Sequence, residues 1–102
     1  MKVWIVEVSD CEGSYLVAVC ATKEIAEREL FKKRDELVAE YKKQDKYNVK
    51  SMRAYYKEKN MPYIEDTMYK DMSKALSGND YKKWDNYPHD KPYLYEIDVI
   101  NK

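Results

Sequence analysis

Residues 2–20 read KVWIVEVSDCEGSYLVAVC and predict an antiparallel β-hairpin. Residues 2–8 and 15–20 are short runs dominated by β-branched, aromatic and other apolar side chains, which is typical of strands. The polar segment between them can turn, because Gly13 is able to adopt a positive φ. Both faces of the second run are apolar, so we expect it to be a central strand with a neighbour on each edge.

The segment after the hairpin predicts a long helix. Thr22 is a suitable N-cap, and Glu24 lies in the first turn, where the helix dipole favours an acid. No glycine or proline occurs from there to Gln44, and Ala26, Leu30, Leu37 and Tyr41 recur at helical spacing. Residues 45–48, DKYN, interrupt this rhythm, so the sequence predicts a separate shorter helix over residues 49–60.

A third helix is predicted over residues 64–76, where Ile64, Met68, Met72 and Leu76 recur every four residues and Gly78 follows the expected end. Residues 80–92 contain two prolines and predict an irregular loop. Residues 93–99, YLYEIDV, alternate in polarity and predict a half-exposed strand.

The whole pattern predicts a single α+β domain over residues 1–102. A three-stranded antiparallel sheet, formed by the hairpin and the strand 93–99, would carry one long and two shorter helices mainly on one face. Residues 45–92 would be a helical and loop elaboration between the first helix and the last strand.

The composition argues against several classes of protein. Basic and acidic residues are equal at 19 each, so overall charge draws the chain to neither nucleic acid nor anionic lipid. No apolar run approaches the roughly 20 residues that span a bilayer, and the N-terminus does not resemble a signal peptide. Cys11 and Cys20 would lie at opposite ends of a strand, too far apart for a disulfide. These features favour a cytoplasmic protein without a membrane partner.

Side chains able to carry catalysis are few. His89 is the one histidine, it follows a tyrosine and a proline in the predicted loop, and it has no neighbouring cysteine. The ligand spacings of common metal sites are missing, and two glycines cannot build a phosphate-binding loop. Glu7, Glu96 and Asp98 could meet on the polar face of the sheet, where we expect them to protect an edge. We therefore expect no enzyme activity, no metal and no cofactor.

Tyrosine is unusually abundant, with eleven residues, and predicts either an irregular core or a protein-binding surface. At least one of the adjacent Tyr55 and Tyr56 should be exposed, because a narrow helical stripe cannot bury both. The predicted protein-binding residues are Tyr55, Tyr56, Tyr63, Tyr69 and Trp84. Binding of a host protein or of a second copy of the chain through a strand edge is compatible with this pattern.

An alternative function is nucleic-acid binding. Residues 32–59 contain ten basic and five acidic side chains, whereas both ends of the chain are mildly acidic. Lysine and arginine would contact phosphates, and Tyr47 or Tyr55 would stack on bases. Asp45 and Glu58 interrupt this basic segment and weaken the alternative. The residues that would carry it are Lys42, Lys43, Lys46, Lys50, Arg53 and Lys57.

The two ends of the chain resemble a group of small bacterial and phage domains of unassigned function. The resemblance lies in KVWIV at residues 2–6, CATKEIAE at residues 20–27 and YEID at residues 95–98, and it covers residues 2–30 and 93–99. It implies a phage or mobile-element origin and supplies no catalytic residues. Such proteins resemble inhibitors of host enzymes or of host defence systems, the anti-CRISPR class among them.

Overall fold

The fold is that of a three-stranded antiparallel sheet with helices on one side. A computed structural model describes residues 1–10, 12–63, 68–85 and 90–100, without the side chains of Met68 and Tyr69. The strands are β1 (Lys2–Asp10), β2 (Gly13–Cys20) and β3 (Lys91–Asp98), and the helices are α1 (Lys23–Glu58) and α2 (Met68–Ala75). A 3-10 turn spans Tyr81–Lys83. The predicted α+β class and the antiparallel sheet are confirmed.

The order of the strands in the sheet is β2-β1-β3, so the prediction that β2 is central is wrong. β1 pairs with β2 on one side and with β3 on the other. The pairing with β2 shifts register between Val6 and Glu7, where Val17 has no partner of its own. This bulge turns both Val17 and Ala18 towards the core, and Leu16 and Val19 remain exposed. The apolar side chains on both faces of β2 therefore do not mark a central strand.

α1 is one continuous helix of 36 residues, and the predicted break at residues 45–48 is wrong. It begins as expected, because the Thr22 hydroxyl accepts a hydrogen bond from the Ile25 N–H at 3.3 Å. At 1.5 Å per residue the helix is about 54 Å long. Residues 45–48 interrupt the apolar rhythm because the last buried residue of α1 is Leu37. Helical propensity without glycine or proline is enough to continue the helix.

The core lies between the sheet and the first half of α1. Val6 and Val8 of β1 pack against Ala26, Leu30 and Leu37 of α1. Met72 and Leu76 from the α2 region and Trp84 complete this cluster. Cys20 is a free, buried thiol within it, as predicted for a small apolar side chain. The core therefore ends where α1 has passed beyond the sheet.

The predicted start of the third helix at Ile64 lies outside the described residues, and the described part of this helix is α2, Met68–Ala75. One further boundary differs from the sequence prediction. β3 begins at Lys91 and includes Pro92, which is buried, so part of the predicted loop belongs to the sheet. Gly78 adopts a φ of 76°, the left-handed conformation expected after a helix end.

Candidate interaction surfaces

The face of the sheet opposite the helices is largely apolar. Residues directly opposed in an antiparallel ladder point to the same face, and Trp4, Val6 and Val8 point towards the helices. Ile5 therefore points the other way, together with its partners Val19 and Tyr95. The same pairing also places the polar residues Ser9, Ser14 and Lys91 on this side, at the end near the turn. The remaining residues are called here the outer sheet face: Val3, Ile5, Glu7, Leu16, Val19, Tyr93, Tyr95 and Ile97.

The outer sheet face is exposed to solvent. The exposed fractions are 59% for Leu16, 58% for Val19 and 41% for both Tyr95 and Ile97. Ile5, at the centre, is 7% exposed because side chains of all three strands surround it. In the described part of the chain, both helices pack on the opposite side. A contiguous apolar surface on a chain that is 37% charged is typical of an interaction site.

One polar pair crosses this face. The Tyr95 hydroxyl donates a hydrogen bond to Oε1 of Glu7 at 2.7 Å. This bond to the carboxylate, assisted by partial burial, raises the pKa of Tyr95 above its ordinary value of 10.0. The bond fixes the direction of the Tyr95 ring, so the aromatic surface is ordered before any partner binds.

The three acids that were expected to meet on one polar face do not do so. Glu7 lies on the outer sheet face, whereas Glu96 is paired with Trp4 in the ladder and points to the other side. Glu96 forms an ion pair with Lys2 at 3.0 Å, and this contact together with Asp98 raises the pKa of Lys2. Glu7 is therefore separated by the sheet from Glu96 and Asp98.

β3 is an edge strand with outward-pointing backbone groups. The Val99 N–H donates to the Met1 carbonyl at 2.7 Å, so the odd-numbered residues of β3 face β1. The even-numbered residues Leu94 and Glu96 then direct their N–H and C=O groups away from the sheet. Pro92 is also an even-numbered residue, so its nitrogen points away from β1. A proline is tolerated in a sheet at such a position, because no neighbouring strand needs its N–H.

A groove of about 450 Å³ runs along this edge. It is lined by Trp4, Lys23, Tyr81, Lys82 and residues 91–96. The Tyr81 hydroxyl contacts Glu27 at 3.3 Å, and burial followed by the charge of Glu27 raises the pKa of Tyr81. Within the described ranges no strand pairs with the outward-pointing backbone groups of β3, and the groove lies beside them.

The second half of α1 forms an arm that extends beyond the core. The chain measures 68 Å along its longest axis and 25 Å along the next. We define the arm as residues 42–58; its side chains are exposed, except for three that are half-buried. All six basic residues predicted to contact nucleic acid lie on the arm and are exposed: Lys42, Lys43, Lys46, Lys50, Arg53 and Lys57.

Three of the predicted protein-binding tyrosines meet at the tip of the arm. Tyr56 stacks on Tyr63 with ring centroids 5.0 Å apart, and Tyr55 meets Tyr56 edge-on at 5.6 Å. Tyr55 is exposed, as expected for one of the two adjacent tyrosines, whereas Tyr56 and Tyr63 are half-buried. The stacked pair packs the segment after α1 against the helix, so these rings order the tip of the arm.

The expectation that Trp84 is an exposed anchor is wrong, since only 3% of its surface is exposed. Its Nε1 donates to the carbonyls of Ser77 and Gly78 at 3.2 and 3.3 Å. Arg34 lies over its ring and donates to Gly78 as well. Trp84 is thus a core residue that fixes the turn after α2. The side chain of Tyr69 lies outside the described residues.

Within residues 1–10, 12–63, 68–85 and 90–100, no three side chains of the types that bind metals cluster together. His89 lies outside these ranges, so the structure does not place it. The described helices include none that is long and apolar enough to cross a membrane.

Comparison with known proteins leaves the function to be argued from these surfaces. No protein-family model, no curated protein and no solved structure matches this chain.

Proposed function

We propose that this chain is a non-enzymatic protein-binding module that takes up an extended segment of another protein alongside β3. The observation that carries the proposal is the outer edge of β3, which pairs with no other strand among the described residues and lies between the groove and the outer sheet face. The backbone groups of Leu94 and Glu96 point outward there. An added strand satisfies such groups, and main-chain hydrogen bonds supply affinity.

The side chains on both sides of β3 suit such a strand. Alternate residues of the partner would lie over Tyr95 and Ile97 on the outer sheet face, and the others would enter the groove beside Trp4 and Tyr81. Fixed aromatic rings contribute strongly to protein interfaces because they bury a large area at little entropic cost. The partner segment should therefore alternate apolar residues with residues that fill the groove.

The charges of the groove predict the charge of the partner. Lys23, Lys82, Lys91 and the acid Glu96 line it; Glu96 is paired with Lys2 and Lys23 with Glu27, which leaves Lys82 and Lys91 to set the charge of the groove. A partner segment with at least one carboxylate complements this balance. Inhibition of a host enzyme or host defence protein is the activity that we propose for such binding, and it is supported by the sequence resemblance.

The experiment is site-specific photo-crosslinking in bacterial cells. A benzophenone amino acid replaces Ile97 beside the free edge, and in a control it replaces Arg28, which is exposed on α1. The blocking variant Glu96→Pro removes the outward N–H. Its matched control Glu96→Ala removes the same carboxylate but keeps the N–H.

We expect a discrete adduct from position 97 that persists with Glu96→Ala and disappears with Glu96→Pro, and none from position 28. An adduct of twice the chain mass would identify a second copy as the partner and contradict binding of another protein. Equal adducts with and without the proline, or no adduct at all, would also contradict the proposal.

A further inference from the structure

The continuity of α1 aligns basic side chains that appear scattered in the sequence. Lys42, Lys46, Lys50, Arg53 and Lys57 follow one another at spacings of four, four, three and four residues. At 3.6 residues per turn they fall within an arc of about 80°. This arrangement, called here the cationic stripe, is about 22 Å long, and Lys43 lies on its flank.

The cationic stripe points away from the core. Ala26, Leu30 and Leu37 define the buried side of α1, and the stripe lies roughly opposite them around the helix axis. All five side chains of the stripe are exposed. A ligand could therefore approach along the arm without disturbing the sheet or α2.

The acids that seemed to interrupt the basic segment lie off the stripe. Asp45 is about 100° and Glu58 about 120° from its middle, and Asp45 is half-buried on the side nearer the core. Among the described side chains, Lys46, Lys50 and Lys57 take part in none of the ion pairs. The stripe thus concentrates positive charge although the whole chain is neutral.

We propose that the cationic stripe is a binding site for the phosphate backbone of nucleic acid. A row of flexible cations recognises a regularly charged polyanion without reading bases, and its strength depends on counterion release. Tyr47, which is 74% exposed and lies about 100° around the helix from the middle of the stripe, can add a stacking contact. This site is independent of the β3 edge.

An anionic membrane surface fits the arm less well. Helices that lie in a membrane interface need a broad apolar face opposite the basic one. On the arm the side opposite the stripe carries Tyr55 and, towards its flank, Met52, and the polar residues Gln44, Asn48 and Ser51 interrupt this apolar surface. Nucleic acid is therefore the ligand that the geometry favours.

The test measures binding to a 20-base-pair duplex of random sequence at several salt concentrations. The stripe variant combines Lys46→Glu, Lys50→Glu and Lys57→Glu. The matched control combines Lys70→Glu, Lys74→Glu and Lys83→Glu, which change the net charge equally at exposed positions away from the arm and the groove. If circular dichroism shows that the stripe variant has lost helical content, a neutral variant that combines Lys46→Gln, Lys50→Gln and Lys57→Gln replaces it.

For about four phosphate contacts we expect log Kobs of the wild type to fall with log salt concentration at a slope of roughly −4. The stripe variant should bind at least about tenfold more weakly at low salt, and its slope should be roughly −1. The control should bind within about twofold of the wild type. Equal weakening of both variants, absence of duplex binding, or binding to anionic vesicles without binding to the duplex would overturn the proposal.

Discussion

Tyr95 and Glu7 are joined across the outer sheet face by a hydrogen bond of 2.7 Å from the Tyr95 hydroxyl to a Glu7 carboxylate oxygen. The two residues belong to adjacent strands and lie diagonally, since Tyr95 opposes Ile5 and Glu7 opposes Tyr93. The bond supplies the carboxylate with a donor on an otherwise apolar surface. Because the bond also raises the pKa of Tyr95, that pKa reports whether the bond is formed.

The first prediction concerns pH. Because the bond to Glu7 raises the pKa of Tyr95, the folded chain holds this proton more tightly than the unfolded chain. The resulting stabilisation is fully present below pH 10.0, the ordinary value, and is lost as pH rises through the folded pKa. Subtracting the phenolate absorbance of the Tyr95→Phe variant from that of the wild type isolates the titration of Tyr95, which should occur above pH 10.0. Glu7→Gln should return it towards the ordinary value. Titration of Tyr95 at its ordinary value in the wild type would contradict the hydrogen bond.

The second prediction tests the continuity of α1. Asn48 lies in the interior of the helix with its side chain exposed. Asn48→Ala should raise the helical content of the arm and slow its amide exchange, whereas Asn48→Gly should do the opposite, with a difference of about 1 kcal/mol between the two. If residues 45–48 formed a loop, the two variants would have the same helical content by circular dichroism.

The third prediction concerns Arg34, which donates from Nη1 to the carbonyls of Leu76 and Gly78 at 3.1 and 2.6 Å. Hydrogen bonds to a charged group contribute about 1.5–3 kcal/mol each when partly buried, so Arg34→Ala should lower the free energy of unfolding by a few kcal/mol. Arg28→Ala, on an exposed position of the same helix, is the control and should change it by less than about 0.5 kcal/mol. Urea unfolding measures both, and equal losses would refute the role assigned to Arg34.

The fourth prediction concerns Trp84. Replacing this buried ring by alanine should cost about 3–5 kcal/mol. Trp84→Phe should cost less, because the ring packing is largely kept while the bonds to Ser77 and Gly78 are lost. Urea unfolding followed by circular dichroism gives the comparison. A stable Trp84→Ala variant would show that the side chain is exposed, as the sequence had suggested.

The strands and the start of the first helix could be predicted from the sequence because their signals are local. The hairpin shows as two apolar runs around a polar turn, and the Thr22 cap depends on neighbours three residues away. The order of the strands could not be predicted in this way. The apolar residues Leu16 and Val19 suggest burial on both faces of β2, and only the pairing with β1 shows that they belong to an exposed surface.

The candidate surfaces were harder to predict than the fold. Trp84 lies near prolines in a segment without periodicity, and its burial depends on contacts with distant residues such as Arg34. The cationic stripe was visible as a spacing of four, four, three and four residues, but only if the helix continues through residues 45–48. In the described part of the chain the last buried residue of α1 is Leu37, so the apolar rhythm need not continue along the arm, and no local pattern reveals where the core ends.

The most direct test of the proposed function is residue-resolved amide exchange in β3, with and without the partner captured by crosslinking. In the isolated chain, the amides of Leu94 and Glu96 should exchange fast while those of Tyr93 and Tyr95 are protected by β1. Addition of the partner should protect Leu94 and Glu96. Exchange at these two amides that stays unchanged on binding, or protection already present in the isolated, dilute chain, would contradict a free edge that takes up a strand.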